Sequence, residues 1–347
     1  MSDSTIALYR KYRPEHFKDV VGQDHIVKAV SGAVDAGKVA HAYLLCGPRG
    51  TGKTTIARII ATSLGTTPND IYEMDAASNR GIDDIRDIRE SVRTIPFDSK
   101  YKVYILDEVH MFTKDAWNAL LKTIEEPPAH VIFILATTEI EKVPETIISR
   151  CQTFMLKKPT EAILSSVVTR VATQEGYTLE EGGAPLIALL ANGAFRDALG
   201  TLQKVLSFST SKKITVADIE EVTGAPNTVL VEMYLDALAE NDIEKGYKAI
   251  TRASGQNIEM DIYLKMILAK LRYALMLRYA PGQSASIESL LSEHDMAYIK
   301  KLVAAKPEHV SSQTLSILLE AYQSLRTSVI DELPLELALV KILNAKA

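Results

Sequence analysis

Residues 47–54 read Gly47-Pro48-Arg49-Gly50-Thr51-Gly52-Lys53-Thr54, a full match to G-x-x-x-x-G-K-[ST]. The flanks constrain the fold as much as the motif does. The short apolar run Ala42 to Cys46 ahead of it reads as a strand, and Thr55 to Leu64 behind it repeats apolar residues at helical spacing. In such a strand–loop–helix the glycines let the backbone curl so that successive N–H groups converge, and the helix aims its N-terminal partial charge at the same point. An anion belongs there. Lys53 is expected to reach the β- and γ-phosphates of a nucleotide, Thr54 to hold Mg²⁺, and Thr55 to line the first helical turn. A plain glycine-rich turn would account for neither flank.

A second element matches the first. Val103-Tyr104-Ile105-Leu106-Asp107-Glu108 ends an apolar strand in two adjacent carboxylates, at the sheet edge where open α/β folds bind their ligands. Alone, such a strand end is an ordinary solvated terminus. Paired with the upstream loop, Asp107 is placed to orient Mg²⁺ through its water shell and Glu108 to polarise an attacking water, so hydrolysis of the nucleotide is expected as well as binding.

The 347 residues exceed the roughly 250–300 that one hydrophobic core organises. From His41 to Lys158, β-branched runs alternate with helical patterns, which predicts a five-stranded parallel sheet with helices on both faces. The strands are Ala42 to Cys46, Ile71 to Asp75, Val103 to Leu106, Val131 to Thr137 and Thr153 to Leu156. The clearest connecting helix carries a stripe of Ile82, Ile85, Ile88, Val92 and Ile95. After Lys158 the strand signals vanish, and three domains are expected: 1–158 nucleotide-binding, 159–224 small and helical, 225–347 all-α.

Net charge is −5, so any contact with nucleic acid must be local and geometric. Val131 to Ala136, the longest clean apolar stretch, is far short of the ~20 residues that span a bilayer. Arg10, Lys11 and Arg13 are followed by no apolar run, unlike a secretory signal. Cys46 and Cys151 alone can build neither a disulfide framework nor a four-cysteine zinc site, which fits a reducing, cytoplasmic setting without membrane attachment.

Six further segments resemble the bacterial DNA polymerase III gamma/tau subunit, the AAA+ ATPase of the clamp loader. They are Tyr12-Arg13-Pro14 with Phe17 to Gln23, Asp75 to Gly81, Glu125-Glu126-Pro127-Pro128, Leu135 to Thr138, Ser149-Arg150-Cys151, and Gly193 to Leu199. The resemblance implies an α/β AAA+ P-loop domain, a small helical lid domain and an all-α C-terminal collar domain that oligomerises. It implies ATP hydrolysis within the DNA polymerase III holoenzyme, with other clamp-loader subunits in a hetero-pentamer, the sliding clamp and primed DNA as partners. It places Tyr9, Arg10, Arg13, Pro14, Val20 and Val21 around the adenine base, and makes Thr138 a first sensor of the γ-phosphate. Arg196, in the lid, becomes a second sensor. Arg150 becomes an arginine finger acting on a neighbouring subunit's ATP. Without the resemblance these would read as a strand-end threonine, a helix-surface arginine and an arginine paired with a carboxylate.

Ser78, Asn79 and Arg80 precede the isoleucine-striped helix, where free N–H groups can bind a DNA backbone phosphate; helix capping explains Ser78 and Asn79 equally well. Thr146 is a second candidate DNA contact. Trp117, Leu120 and Leu121 read as core on a helix that Thr113 could cap, and the clamp-facing surface is not located. In place of the four-cysteine zinc module of many relatives stands Gly65-Thr66-Thr67-Pro68-Asn69-Asp70, so no zinc is expected, and neither is the longer form's C-terminal extension. Two other functions stay open. A nucleotide-binding scaffold of a replication complex would need none of Glu108, Thr138, Arg150 and Arg196, and another AAA+ DNA-remodelling ATPase would share them. Asp107-Glu108-Val109-His110 imitates a helicase box, but no second strand-rich domain follows.

Overall fold

The computed structural model describes residues 6–256, 258–283, 287, 291–304 and 308–343. Contacts divide the chain into two compact units, Met1–Leu164 with Ala191–Gly200, and Ser165–Leu190 with Thr201–Ala347. The three expected domains follow changes in the kind of secondary structure, whereas this division follows packing. It groups residues 191–200 with the sheet, and the expected third segment ends in residues 344–347, outside the described ones.

The first unit is built on β1 (Ala42–Cys46), β2 (Ile71–Asp75), β3 (Lys102–Asp107), β4 (Val131–Thr137) and β5 (Gln152–Met155), paired in parallel in the order β2-β3-β4-β1-β5. Side chains alternate between the two faces of a strand, so these apolar runs feed two separate cores. On one face Leu44, Leu106, Phe133 and Leu135 pack with Ile85 of α4 (Ile82–Ser91) and Leu120 and Ile124 of α5 (Lys114–Glu125). On the other, Tyr43, Leu45, Ile105 and Ile134 pack with Ile26 and Val30 of α2 (Asp24–Asp35) and Ile56 and Ile60 of α3 (Lys53–Ser63). Short helices α1 (Leu8–Lys11) and α6 (Glu145–Ile148) complete the elements used below.

Three strands have the expected bounds. β3 is one residue longer at each end. β5 begins and ends one residue earlier than expected, although the N–H of Leu156 still donates to the Cys46 carbonyl at 2.7 Å. Trp117 and Leu120 are buried and Leu121 packs against the same core, under a helix whose Ala116 N–H is capped by the Thr113 hydroxyl at 3.2 Å. The isoleucine stripe needs correction at its end. Ile85, Ile88 and Val92 are buried but Ile95 is 81 % exposed, because α4 ends at Ser91 and Pro96 disfavours helix at the residue before it.

Beyond Lys158 the described residues are mostly helical: α7 (Glu161–Gln174), α8 (Gly183–Leu190), α9 (Phe195–Phe208), α10 (Val216–Thr223), α11 (Thr228–Glu240), α12 (Ile243–Gly255), α13 (Met260–Tyr279), α14 (Glu293–Ala304), α15 (Ser312–Leu325) and α16 (Leu333–Leu343). The expectation that strands cease is overturned by β6 (Thr178–Leu179), which pairs in parallel with β7 (Lys213–Ile214). Two residues are too short to leave an alternating pattern. Among the described residues no helix is long and apolar enough to cross a membrane.

The second unit holds a buried ionic network. Lys270 on α13 is 7 % exposed, and its ammonium lies 3.1 Å from Glu232 of α11 and 2.5 Å from Asp295 of α14. Lys270→Met keeps the stem but leaves two carboxylates facing each other without their cation. The expected cost is ~3–5 kcal/mol, measured by urea unfolding of the full chain at neutral pH. A loss below ~1 kcal/mol would mean that these carboxylates reach water.

Candidate nucleotide site

The loop 47–54 curls as the motif requires. Gly50 (φ 75°) and Gly52 (φ 105°) adopt left-handed backbone, and a Cβ on Gly50 would meet the Ala194 Cβ at 2.7 Å. Lys53 is 6 % exposed, its Nζ donating to the carbonyls of Gly47 (2.9 Å) and Pro48 (3.1 Å). Burial pulls the Lys53 ammonium below its ordinary pKa, while the nearby Glu108 and Asp107 oppose that shift. Thr51 closes the turn through Oγ1 to the Pro48 carbonyl at 2.8 Å. Pro48 and Arg49 are exposed, and Thr55 is half-buried in the first turn of α3.

β3 delivers the acidic pair to this loop. Thr54 Oγ1 donates to Asp107 Oδ2 at 2.5 Å. A hydroxyl and a carboxylate so placed are the hard oxygen donors Mg²⁺ takes, with water and phosphate filling the rest of its shell. Glu108 follows in left-handed backbone (φ 50°), unusual for a residue with a Cβ and a form of strain that gathers at functional sites. Its Oε2 accepts from Thr138 Oγ1 at 3.3 Å. Thr138 stands one residue past the end of β4, and the topology brings it beside β3 because those two strands are neighbours.

The residues from the chain's two ends of this unit also converge. The Phe195 N–H donates to the Gly50 carbonyl at 3.0 Å, and the Arg196 guanidinium lies 5.6 Å from the centre of the Tyr9 ring on α1. Arg13 is half-buried, and burial together with the neighbouring Arg58 lowers its pKa below the ordinary value. Val20 packs against the α2/α3 core, Arg10 is exposed, and Pro14 and Val21 are half-buried.

Arg150 is held elsewhere. It follows α6 and bridges Glu125, the last residue of α5, at 2.5 Å, and it also donates to the Thr146 carbonyl at 2.7 Å and the Ser149 hydroxyl at 3.3 Å. Thr146 itself is exposed. The pairing with a carboxylate, one of the two readings of Arg150, is thus present within this chain.

Ser78, Asn79 and Arg80 do not cap α4. Its N-cap is Gly81, whose N–H donates to Asp84 Oδ2 at 3.0 Å, whereas the N–H groups of Ser78 and Asn79 turn back to the Asp75 carbonyl at 3.2 and 3.0 Å. Capping therefore does not explain these two residues, which corrects that alternative.

Two arrangements escaped sequence reasoning. Asp70 accepts N–H donors from Phe97 (2.6 Å), Asp98 (2.9 Å) and Ser99 (2.8 Å), and Lys102 Nζ donates to Thr94 Oγ1 at 2.8 Å. Together they pin a loop on which Ile95 and Phe97 are 81 % and 82 % exposed. A Thr-Ile-Pro-Phe run past a helix end was the available signal. The other is His110, described below.

A parallel sheet ordered β2-β3-β4-β1-β5, with a phosphate loop after β1 and an acidic pair at the end of β3, defines a P-loop ATPase of the AAA+ class. Residues 65–160 match the family described as DNA polymerase III, delta subunit, and residues 16–104 that described as Magnesium chelatase, subunit ChlI. The chain is 31 % identical to the DNA polymerase III subunit gamma of Buchnera aphidicola subsp. Acyrthosiphon pisum, over 97 % of this chain and 98 % of that one. It is 36 % identical to the DNA polymerase III subunit tau of Bacillus subtilis, over 97 % of this chain and 63 % of that one. The chain belongs to the DNA polymerase III gamma/tau family. It spans 41 % to 63 % of the length of the Mycoplasma pneumoniae gamma/tau and B. subtilis tau proteins that it matches. Among solved structures, the Thermotoga maritima RuvB Holliday junction branch migration motor aligns with a TM-score of 0.54 at 25 % identity, covering 66 % of this chain and 80 % of that one.

Proposed function

We propose that this chain is an ATP-hydrolysing motor subunit of a DNA polymerase III clamp loader, acting in the cytoplasm to load a sliding clamp onto primed DNA. The observation that carries the reading is the convergence of Lys53, Thr54, Asp107, Glu108 and Thr138 at one sheet edge while Arg150 bonds to Glu125. The first five would make a nucleotide site, and Arg150, whose pair with Glu125 is partly exposed, would serve a neighbour's.

In this reading the loop N–H groups and Lys53 bind the phosphates of ATP, and Tyr9, Arg10, Arg13, Pro14, Val20 and Val21 enclose the base. Thr54 and Asp107 would hold Mg²⁺, which neutralises phosphate charge when bound. Glu108 polarises the attacking water, Thr138 orients it, and Arg196 reads the γ-phosphate. Segment 159–224 acts as a lid. Segment 225–347 acts as a collar among partner subunits, supported by the exposed Leu333 and Leu337 one turn apart on α16. Ser78, Asn79, Arg80 and Thr146 touch the DNA backbone, which positions a protein without reading sequence.

The pinned loop carrying Ile95 and Phe97 is the clamp-docking surface. Asp70 holds its backbone N–H groups and Lys102 the Thr94 hydroxyl, so little conformational freedom is lost on docking. ATP turnover by the assembled protein is expected to rise when primed DNA and purified clamp are added. Replacing both Ile95 and Phe97 by serine should remove the clamp-dependent part and keep the DNA-dependent part, since each buried apolar side chain contributes ~1.5–3 kcal/mol. A rate unmoved by either addition would sink the loader reading and favour a scaffold.

A further inference from the structure

His110 sits in the single 3₁₀ turn Val109–Met111 after the acidic pair, with its side chain 8 % exposed. Its two ring nitrogens face different partners. Nδ1 lies 3.1 Å from Thr137 Oγ1 and 3.5 Å from Glu108 Oε2, while Nε2 lies 3.3 Å from Glu139 Oε1. Glu139 is itself fixed: its carboxylate pairs with Lys142 at 2.7 Å and its N–H donates to Thr137 Oγ1 at 3.0 Å. A buried imidazole is thus clamped between the loop after β4 and the carboxylate of Glu108.

Glu108 needs such a clamp. Its backbone is left-handed (φ 50°), and the hydrogen bond it accepts from the Thr138 hydroxyl, at 3.3 Å, is long. We propose that His110 is a positioning residue for ATP hydrolysis: anchored at Nε2 by Glu139 and at Nδ1 by the Thr137 hydroxyl, it holds its ring edge 3.5 Å from the Glu108 carboxylate and so limits the orientations open to the group that polarises the attacking water. The inference rests on the reading of Glu108 given under Proposed function. A histidine that merely filled the core would support stability and leave turnover per folded molecule unchanged.

The test uses the full chain in its own assembly with four single variants and one double variant, reading kcat at saturating ATP, Kd for a non-hydrolysable ATP analogue, and the thermal midpoint. His110→Leu is expected to lower kcat about 10- to 100-fold, the usual effect of losing a group that orients a reacting one, with the analogue's Kd unchanged. His110→Asn places an amide nitrogen near the position of Nδ1 and should recover most of kcat. Glu139→Gln, on a partly exposed loop, should lower kcat about 3- to 10-fold and add less than that in the His110→Leu background, because partners in one network are non-additive. Wild-type kcat in His110→Leu, or His110→Asn as slow as His110→Leu, would overturn the proposal. Should His110→Leu fail to fold, wild-type kcat in Glu139→Gln overturns it alone. Glu108→Gln separates the two levels: full turnover there removes the reading of Glu108, whereas slow turnover there with a normal His110→Leu removes this inference only.

Discussion

Replacing Lys53 by alanine is expected to abolish measurable ATP binding by the full chain. In the folded loop the Lys53 ammonium is buried and shared between the Gly47 and Pro48 carbonyls, so it is already poised where phosphate oxygens would arrive. The alanine variant loses that charge and leaves two carbonyl oxygens turned toward an incoming polyanion. Charge-assisted hydrogen bonds contribute ~1.5–3 kcal/mol each, so two of them correspond to at least about 100-fold in Kd. Titration calorimetry with ATP checks this. A Kd within about threefold of wild type would mean that residues 47–54 do not cradle the nucleotide.

Arg150→Ala should behave in the opposite way. Binding should survive while turnover of the assembled protein falls by ~10³ or more, the scale on which an arginine stabilises charge developing on a transferring phosphoryl group. Stability should barely move, because the Arg150–Glu125 pair is partly exposed and such pairs contribute ~0–1 kcal/mol. That weakness matters for function, since a neighbour's triphosphate can displace Glu125 at little cost. The decisive measurement is a mixture. Arg150→Ala subunits keep a nucleotide site and Lys53→Ala subunits keep the arginine, so assemblies containing both should regain turnover that neither variant has alone. If the mixture stays inactive while it assembles normally, Arg150 does not act across a seam.

The parts of the site that were legible in sequence are those in which one segment does the whole job. Gly47 to Thr54 announces its loop because the glycines, the lysine and both flanking elements are contiguous. Asp107 and Glu108 could be placed because a parallel strand buried on both faces reads as a continuous apolar run that ends abruptly. Illegible were the pairs between segments. Glu125 reaches Arg150 because α5 and α6 share a core, Asp70 reaches the 97–99 loop across the end of β2, and His110 meets Glu139 because β3 and β4 are neighbours. Ile95 was misplaced because a helical stripe in sequence carries no mark of where its helix stops, whereas the structure ends α4 at Ser91.

By itself, then, the sequence determined a parallel sheet, a phosphate loop and an acidic pair, because periodicity and glycine placement are local properties of the backbone. Tertiary structure decided what stands beside the acidic pair, that Arg150 turns to Glu125, and that an apolar loop is pinned outward. Those outcomes depend on which strands become neighbours, a choice made by the burial of two whole faces and by no single segment.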